Sequence, residues 1–277
     1  MLTHKQVERI AREAYLPEHL PDYVCSVSGA EPLWFGDYLA YARGSVLIFI
    51  GYPLGAPFDP QSLEESLAKA VGQCRPGLVS LIAPAMPPSL GRIEPSDHYY
   101  SLDLAAVVRS SKTRNMLRRA GRELTLETGR TFLPEHGRLV EDFLRRRPLD
   151  EATGAIFAAL GRYVETSPGT RIFTVKNSAG ATVAFDVAEF GPRDWAFYMF
   201  NVTAAESYVP GASDLLLERV IAEAAATGKR FLNLGLGINP GVTAFKEKWG
   251  GAPFVPHVFH QYRPPAKGLL EMVLRWL

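Results

Sequence analysis

A short loop and the helix start behind it are the first candidates for chemistry in this sequence. The loop, residues 208–213, follows an apolar strand at 195–200 and opens a helix at 213–227 whose apolar residues recur at spacings of three and four. The first N–H groups of a helix have no partner inside it and lie at the positive end of its dipole. Such a helix start can bind a pyrophosphate. An ordinary connection between a strand and a helix explains the same residues equally well.

The most basic segment, residues 110–122, is the second candidate. Helical spacing places Arg114 and Arg118 on one face, and an arginine fork can hold a phosphate through two parallel hydrogen bonds. The pair is therefore a candidate clamp for a phosphate-bearing substrate, with a solvated helix face as the alternative. No aromatic residue interleaves with these charges, so a platform for single-stranded nucleic acid is not indicated.

Other motifs fail on their spacing. The run 235–241 follows a strand and opens a helix, as a dinucleotide fingerprint does, but it is one residue too long and lacks an acidic residue about twenty positions on. His257 and His260 would point to opposite faces of a strand, so we expect no metal pair there. Two isolated cysteines are too few for a disulfide framework or a zinc site.

Composition narrows the class of protein. The 277 residues can fill one large domain or two smaller ones, and a net charge of +1 gives no reason to expect DNA as a partner. The N-terminal sequence lacks the apolar run of a signal peptide, and no run is long enough to span a bilayer. We therefore expect a cytoplasmic protein, and the oligomeric state stays open.

Hydrophobic periodicity predicts an α/β fold with helices and strands mixed throughout. In the first half we expect helices at 3–14 and from 59 onward, and strands at 23–27, 45–51, 78–83 and 98–102. After the basic helix we expect the order β-α-α-β-β-β-α-β-α-β, with strands at 123–128, 171–175, 182–189, 194–200, 231–234 and 254–260 and helices at 135–146, 151–164, 213–227 and 241–249.

The end of this order carries a resemblance to a known family. Strand, glycine loop, helix, strand and helix close on FKEKWGG at 245–251. This arrangement resembles the C-terminal part of the Fem-type acyltransferases (FemAB- and FemX-like, DUF2156-like) of the GNAT superfamily. A recurring FK..WG segment of that group matches Phe245, Lys246, Trp249 and Gly250. The resemblance covers about residues 110–263.

The resemblance implies a tandem GNAT-like fold with mixed central sheets flanked by helices. Residues 1–108 would form a degenerate N-terminal half, 109–264 the C-terminal GNAT domain and 265–277 a C-terminal docking helix. That last helix is nearly apolar, so it would pack on the protein or on a second subunit, or lie on a membrane surface as a peripheral contact. A membrane contact would suit an enzyme that modifies lipid headgroups.

The resemblance also implies an N-acyltransferase. The donor would be acetyl-CoA or another acyl-CoA, or an aminoacyl-tRNA, and the acceptor would be an amine on a small molecule, a peptide or a lipid. The residues that would hold the donor are Tyr208, Val209, Gly211, Ala212, Ser213 and Asn201. Only the central glycine of the family's pyrophosphate pattern is present, and Pro210 removes an N–H donor. This weakens the case for coenzyme A more than the case for aminoacyl-tRNA.

Acyl transfer requires a neutral amine, a stabilised oxyanion and a proton for the leaving group. A backbone N–H of the strand near 195–201 would polarise the carbonyl, and Lys246 would place a positive charge beside the oxyanion. Glu189 and Glu206 would accept the proton of the amine, and Asn233 would bind an amide of donor or acceptor. Surface or hydrogen-bonded edge positions are the alternative for these last three residues.

A second function stays open at this stage. The tyrosine that many GNAT domains use as a general acid on the last short helix has no counterpart here. The alternative is therefore a catalytically inactive, GNAT-derived ligand-binding protein. Loss of turnover on substitution of Lys246 would separate the two functions.

Overall fold

The computed structural model describes residues 1–147 and 149–265. Contacts among these residues divide them into two compact units. The large unit holds residues 2–30 and 97–256, and the small unit holds residue 1, residues 31–96 and, among the described residues, 257–265. The division differs from the predicted boundary at residue 108, because residues 97–103 pair with a strand of the large unit. The helix predicted at 265–277 lies outside the described residues, except for residue 265.

Two helices open the chain: α1 (His4–Glu13) and α2 (Pro21–Ser28). α1 begins at a capping box, in which the side chains of Thr3 and Gln6 each accept a hydrogen bond from the other's backbone N–H. α2 occupies the segment predicted as a strand at 23–27, so that prediction is wrong. Pro21 at its first position and Gly29 just past its end, with a φ of +67°, are helix start and stop signals that outweigh a short apolar run.

The small unit contains four strands and one long helix: β1 (Glu31–Phe35), β2 (Tyr38–Arg43), β3 (Val46–Ile50), α3 (Pro60–Cys74) and β4 (Leu78–Ala83). The strand order is β1-β2-β3-β4, antiparallel except for the parallel β3–β4 pair. β1 and β2 form a hairpin that the sequence analysis missed, with Gly36 at a φ of +62° in its two-residue turn. α3 buries Leu63, Leu67 and Ala70 against the strands, as expected from their helical spacing.

The rest of the chain forms the large unit and the last strand: β5 (Asp97–Asp103), α4 (Ser111–Glu123), β6 (Leu124–Gly129), α5 (Pro134–Arg146), α6 (Glu151–Ala158), α7 (Leu160–Thr166), β7 (Thr170–Asn177), β8 (Thr182–Glu189), β9 (Trp195–Thr203), α8 (Ala212–Ala226), β10 (Phe231–Leu236), α9 (Pro240–Lys248) and β11 (Ala252–Tyr262). The predicted order is confirmed, except that the helix predicted at 151–164 is divided at Ala159. Residues 258–262 of β11 pair with β4 in the small unit.

The sheet of the large unit has the order β5-β10-β9-β8-β7-β6 and is antiparallel except for the β9–β10 pair. Successive side chains of β8 point to opposite faces of the sheet. Ala184 and Ala188 pack in the cluster that contains α8, whereas Phe185 and Val187 pack with side chains of α5 and α7. The predicted fold class, α/β with mixed sheets flanked by helices, is confirmed. Within the described ranges, no helix is both long and apolar enough to cross a membrane.

Candidate active site

Two neighbouring strands of the large unit separate and leave an opening in the sheet. β9 and β10 pair over three residue pairs, the last being Phe197 opposite Asn233. Beyond that point β9 continues to Thr203, while β10 bulges after Asn233 and stays paired with β5. Among the described residues, no strand pairs with this edge of β9 past Phe197. The opening between residues 198–203 and 234–236, here called the splay, leaves N–H groups of β9 available to a carbonyl oxygen.

Lys246 lies beside the β10 wall of the splay. Lys246 is only 4% exposed. Its Nζ donates a hydrogen bond to the Leu236 carbonyl and lies 5.6 Å from the centroid of the Tyr100 ring. Burial lowers the pKa of Lys246 to about 8, and the negative charge of Asp97 opposes that decrease. The side chain is therefore a buried cation that loses its charge when the pH rises only slightly above neutral.

Asp97 is a site residue that the sequence analysis missed. Its carboxylate accepts hydrogen bonds from the N–H groups of Gly237 (3.0 Å), Ile238 (2.8 Å) and its neighbour His98 (2.7 Å). Burial disfavours the charged form, but these donors and the charge of Lys246 outweigh it and lower the pKa of Asp97. No local signal in the sequence could have paired Asp97 with a loop that lies 140 positions further along the chain.

Asn233 lies inside the sheet, on β10 between β5 and β9, and its side chain is hydrogen-bonded within the protein. The residue is 1% exposed. Its Nδ2 donates to the Tyr15 carbonyl at 2.8 Å, and its Oδ1 accepts from the Gly235 N–H at 2.7 Å. Asn233 therefore stabilises the bulge in β10 and fixes the segment after α1, and both of its polar atoms already have partners.

Glu189 lies in an environment that does not fit a general base. Its carboxylate accepts four hydrogen bonds: from the hydroxyls of Tyr163 (2.9 Å) and Ser167 (2.7 Å) and from the N–H groups of Phe190 (3.1 Å) and Gly191 (2.8 Å). The residue is 3% exposed. Because these four donors fill the lone pairs of the carboxylate, no position is left for the proton of an amine.

Glu206 lies on the surface, and its side chain is 86% exposed. It forms an ion pair with Arg146 at 2.7 Å. Near that pair a cavity of about 210 Å³ is lined by the end of α5, by residues 203–205 and by Tyr208, with Arg146 and Arg147 in its wall. Glu206 could deprotonate a solvent-exposed amine, but the structure does not bring it together with Lys246.

The start of α8, predicted to hold a pyrophosphate, is partly covered by another helix. Gly211 has a φ of +89°, and a Cβ at this position would lie 2.9 Å from the Cβ of Ala120 in α4. Ala212 is buried behind it. The absence of a side chain at Gly211 therefore serves the packing of α4 on α8, whether or not a ligand binds.

The other predicted donor-binding residues surround this helix start. Tyr208 is 61% exposed and Val209 is half-buried against the core. The Ser213 hydroxyl donates to Oδ1 of Asn201 at 2.9 Å, which ties α8 to the free edge of β9. These residues lie along the loop that leads from the splay to α8, and their role toward a donor stays a prediction.

An acidic residue in the first turn of α8 joins it to α9. The Asp214 carboxylate accepts a hydrogen bond from Nε1 of Trp249 at 2.9 Å and pairs with Lys248 at 2.5 Å. Trp249 is 1% exposed and packs in the core of the large unit. A carboxylate at a helix N-terminus is favourable for the helix dipole but repels a second anion. This start of α8 is therefore a poor site for a pyrophosphate.

The basic helix α4 turns its apolar side chains toward the protein, with Met116 and Leu117 half-buried and Ala120 buried. Arg114 turns back to its own helix start, where it donates to the Arg109 carbonyl and to the Ser111 hydroxyl. Arg118 is exposed. The two arginines do not converge on a common acceptor, which corresponds to the solvated-face alternative. Of the described residues, no group of three or more His, Cys, Asp or Glu side chains could hold a metal ion.

A second buried acid lies on the α8 face of the sheet. Asp186 is fully buried, and among the described residues no hydrogen bond of good geometry reaches its carboxylate oxygens, although the nearby Tyr198 hydroxyl favours the charged form. Burial raises the pKa of Asp186 well above its usual value. The Tyr198 hydroxyl and Nδ2 of Asn201 are also buried and, within the same ranges, form no hydrogen bond of good geometry. A bulge in β9 after Tyr198 brings these two side chains to the same face as Asp186.

Comparison with solved structures agrees with this architecture. The chain is similar to the C-terminal domain of a putative lysylphosphatidylglycerol synthetase from Agrobacterium fabrum (16% identity, TM-score 0.65, covering 97% of this chain and 95% of that one). It is also similar to FemX (11% identity, TM-score 0.62, 100% and 98% covered). A tandem GNAT protein from the clavulanic acid biosynthesis pathway is a third (12% identity, TM-score 0.57, 95% of each chain covered).

These similarities define the fold that Fem-type and tandem GNAT proteins share, and the predicted resemblance to that group is confirmed at this level. No protein-family model matches the chain, and no curated protein matches it. Identities below 20% leave the reaction to be argued from the site itself.

Proposed function

We propose that the large unit is an acyltransferase that moves an acyl or aminoacyl group from an activated ester or thioester to an amine. The observation that carries the proposal is the buried cation of Lys246 beside strands that have separated. A protein that needed only a continuous sheet would have no use for unpaired N–H groups and a desolvated ammonium in one place. Together they form a site for an oxygen that becomes negative during a reaction.

The chemistry follows from these two groups. The donor carbonyl would accept a hydrogen bond from an N–H on the free edge of β9. When the amine attacks, a C–N bond forms and the carbonyl oxygen gains negative charge, which the Lys246 ammonium stabilises. The C–O or C–S bond then breaks, and the leaving group departs with the proton released by the amine. An ammonium has three N–H donors, and the Leu236 carbonyl takes one of them.

Of the two donors, the environment of α8 favours aminoacyl-tRNA over coenzyme A. A coenzyme A pyrophosphate would meet Pro210, the Asp214 carboxylate and a helix start covered by α4. An aminoacyl ester places no pyrophosphate there. The relatives in fold include one whose name describes a lysyl-lipid synthetase, so the amine acceptor could be borne by a small molecule, a peptide or a lipid.

A ligand-binding protein without chemistry is the second candidate. It is favoured by the occupied Glu189 carboxylate, which leaves no predicted base beside Lys246. It is also favoured by Asn233, whose amide already has partners on both polar atoms. The two candidates differ in whether bound donor is consumed.

The experiment that tests the proposal measures transfer of a radiolabelled acyl group from the donor to an amine acceptor. The full chain is incubated with radiolabelled aminoacyl-tRNAs, or with labelled acetyl-CoA, and a mixture of amines and lipid extract. We expect Lys246→Ala to lower the transfer rate on the order of 100- to 1,000-fold, and the wild-type rate to fall as the pH rises through about 8, where Lys246 loses its proton. Lys112→Ala, an exposed lysine on α4, is the matched control. Binding of either donor without transfer to any acceptor would favour the second candidate.

A further inference from the structure

The loop after β10 is held in a conformation that its sequence does not favour. Gly235 has a φ of +76° and Ile238 a φ of +62°. A β-branched side chain rarely adopts a positive φ, because its Cβ substituents crowd the backbone. Ile238 is also 74% exposed, so burial of its side chain does not stabilise the strained conformation. Another interaction must hold this loop in place.

Asp97 supplies that interaction. Both of its carboxylate oxygens bind the loop, Oδ1 through the Gly237 N–H and Oδ2 through the Ile238 N–H. The approach is close: a Cβ on residue 237 would lie 2.6 Å from Oδ1, so a larger residue would displace the Asp97 carboxylate. Thr243 adds a weaker bond, at 3.4 Å, from its hydroxyl to the Gly237 carbonyl.

The same loop carries the carbonyl that holds Lys246. Leu236, whose carbonyl accepts from Nζ, directly precedes the two residues that Asp97 binds. The Asp97 carboxylate contacts the loop, and its effect on Lys246 is electrostatic. A shift of the loop would therefore move the carbonyl and change the position of the ammonium in the splay.

We propose that Asp97 is a positioning residue for Lys246: it fixes residues 236–238 so that the Leu236 carbonyl directs the ammonium into the splay. The inference rests on the proposed function for its catalytic consequence. Its structural part, the coupling of Asp97 to Lys246, can be measured without any substrate.

The electrostatic environment gives the sign of the effect. The groups of β5 that face Lys246 are Asp97 and the ring of Tyr100. On α9 itself, Glu247 is exposed, and Lys248 pairs with Asp214 of α8. The Asp97 charge favours the protonated form of Lys246, whereas burial disfavours it. Removing that charge leaves burial unopposed, so the pKa of Lys246 should fall further below its ordinary value.

The experiment compares Asp97→Asn with wild type in the full chain, without ligand. Competitive labelling of amines over a pH series, read by peptide mass spectrometry, gives the apparent pKa of Lys246. Asp103→Asn is the matched control, because Asp103 lies on the same strand, is exposed and caps a local turn. We expect Asp97→Asn to shift the titration of Lys246 to lower pH and Asp103→Asn to leave it unchanged. In the transfer assay, Asp97→Asn should lose on the order of 10- to 100-fold in rate, as expected for a misplaced catalytic group.

Asp97→Glu provides a second variant that keeps the charge but displaces the carboxylate by one methylene. We expect it to keep the Lys246 titration near that of wild type while transfer falls. An unchanged titration together with unchanged transfer in Asp97→Asn, measured on protein with a wild-type melting curve, would overturn the proposal. If wild type transfers label from no donor, the proposed function fails, and the titration still decides whether Asp97 acts on Lys246.

Discussion

Three buried ionisable residues of the large unit differ in how many partners could balance a charge on them. Glu189 has four hydrogen-bond donors and no exposure to a substrate. Lys246 has one carbonyl and the face of an aromatic ring. Asp186 has only the nearby Tyr198 hydroxyl, and no hydrogen bond of good geometry among the residues that the structure describes. A fully satisfied charge stabilises a fold, whereas an incompletely satisfied one is available to a ligand. This comparison is why we place the chemistry at Lys246 and not at Glu189.

Replacing Glu189 tests that distinction. Glu189→Gln removes the charge and turns an amide NH₂ toward groups that donate, so at least one buried donor loses its acceptor. We expect a loss of about 2 kcal/mol in the free energy of unfolding, measured by urea denaturation. The matched control, Glu206→Gln at an exposed ion pair, should change stability by no more than about 0.5 kcal/mol. Unchanged stability with abolished transfer would restore Glu189 as a catalytic base.

At the scale of elements, helices and strands are predicted best from the sequence where the apolar pattern is long or is bounded closely by turn residues. β4 and β8 lie at the predicted residues, because a continuous apolar run between turn residues admits few alternatives. The prediction failed at α2, where five apolar and polar residues fit a strand as well as a helix. It also missed the β1–β2 hairpin, although Gly36 and Asp37 between two aromatic-rich runs are a recognisable turn signal.

The candidate site was predicted in part. Lys246 came from a motif, and the role of a backbone N–H of the strand near 195–201 came from the resemblance that the motif carries. Asp97 and the partners of Glu189 and Asn233 could not be predicted, because each contact joins segments that are distant in the chain, such as Tyr15 and Asn233. Such contacts depend on tertiary packing, which the local spacing of apolar residues does not reveal.

The start of α8 gives a prediction at this scale. Gly211→Ala combines an unfavourable positive φ with a Cβ only 2.9 Å from Ala120. Gly180→Ala, in the β7–β8 turn, has a φ of +77° but no atom within 4 Å of the added Cβ. We therefore expect both variants to lower the melting temperature, with Gly211→Ala losing about 1–3 kcal/mol more because of overpacking. Equal losses would show that α4 does not pack tightly on this helix start.

For the whole molecule, the candidate residues lie in one discontinuous unit. Residues 2–30 contribute the carbonyl that binds Asn233, and β5 contributes Asp97, although both precede the predicted GNAT boundary. The segment 109–264, which the sequence analysis predicted to form a GNAT domain, therefore does not contain all of the candidate residues without the earlier chain. A fragment that begins at residue 109 would lack the residue that fixes the Lys246 loop.

The measurement that tests the central claim most directly is amide hydrogen exchange of the full chain with and without a donor analogue. The probe is an aminoacyl-tRNA analogue whose amide linkage cannot be transferred, with acetyl-CoA as the parallel probe. If the splay is the acyl site, bound probe should slow exchange at residues 198–203 of β9 and 235–246, while the turn at 177–181 stays unchanged. Saturable binding that protects only the cavity beside Arg146, or the start of α8, and leaves the edge of β9 exchanging as before would contradict the account.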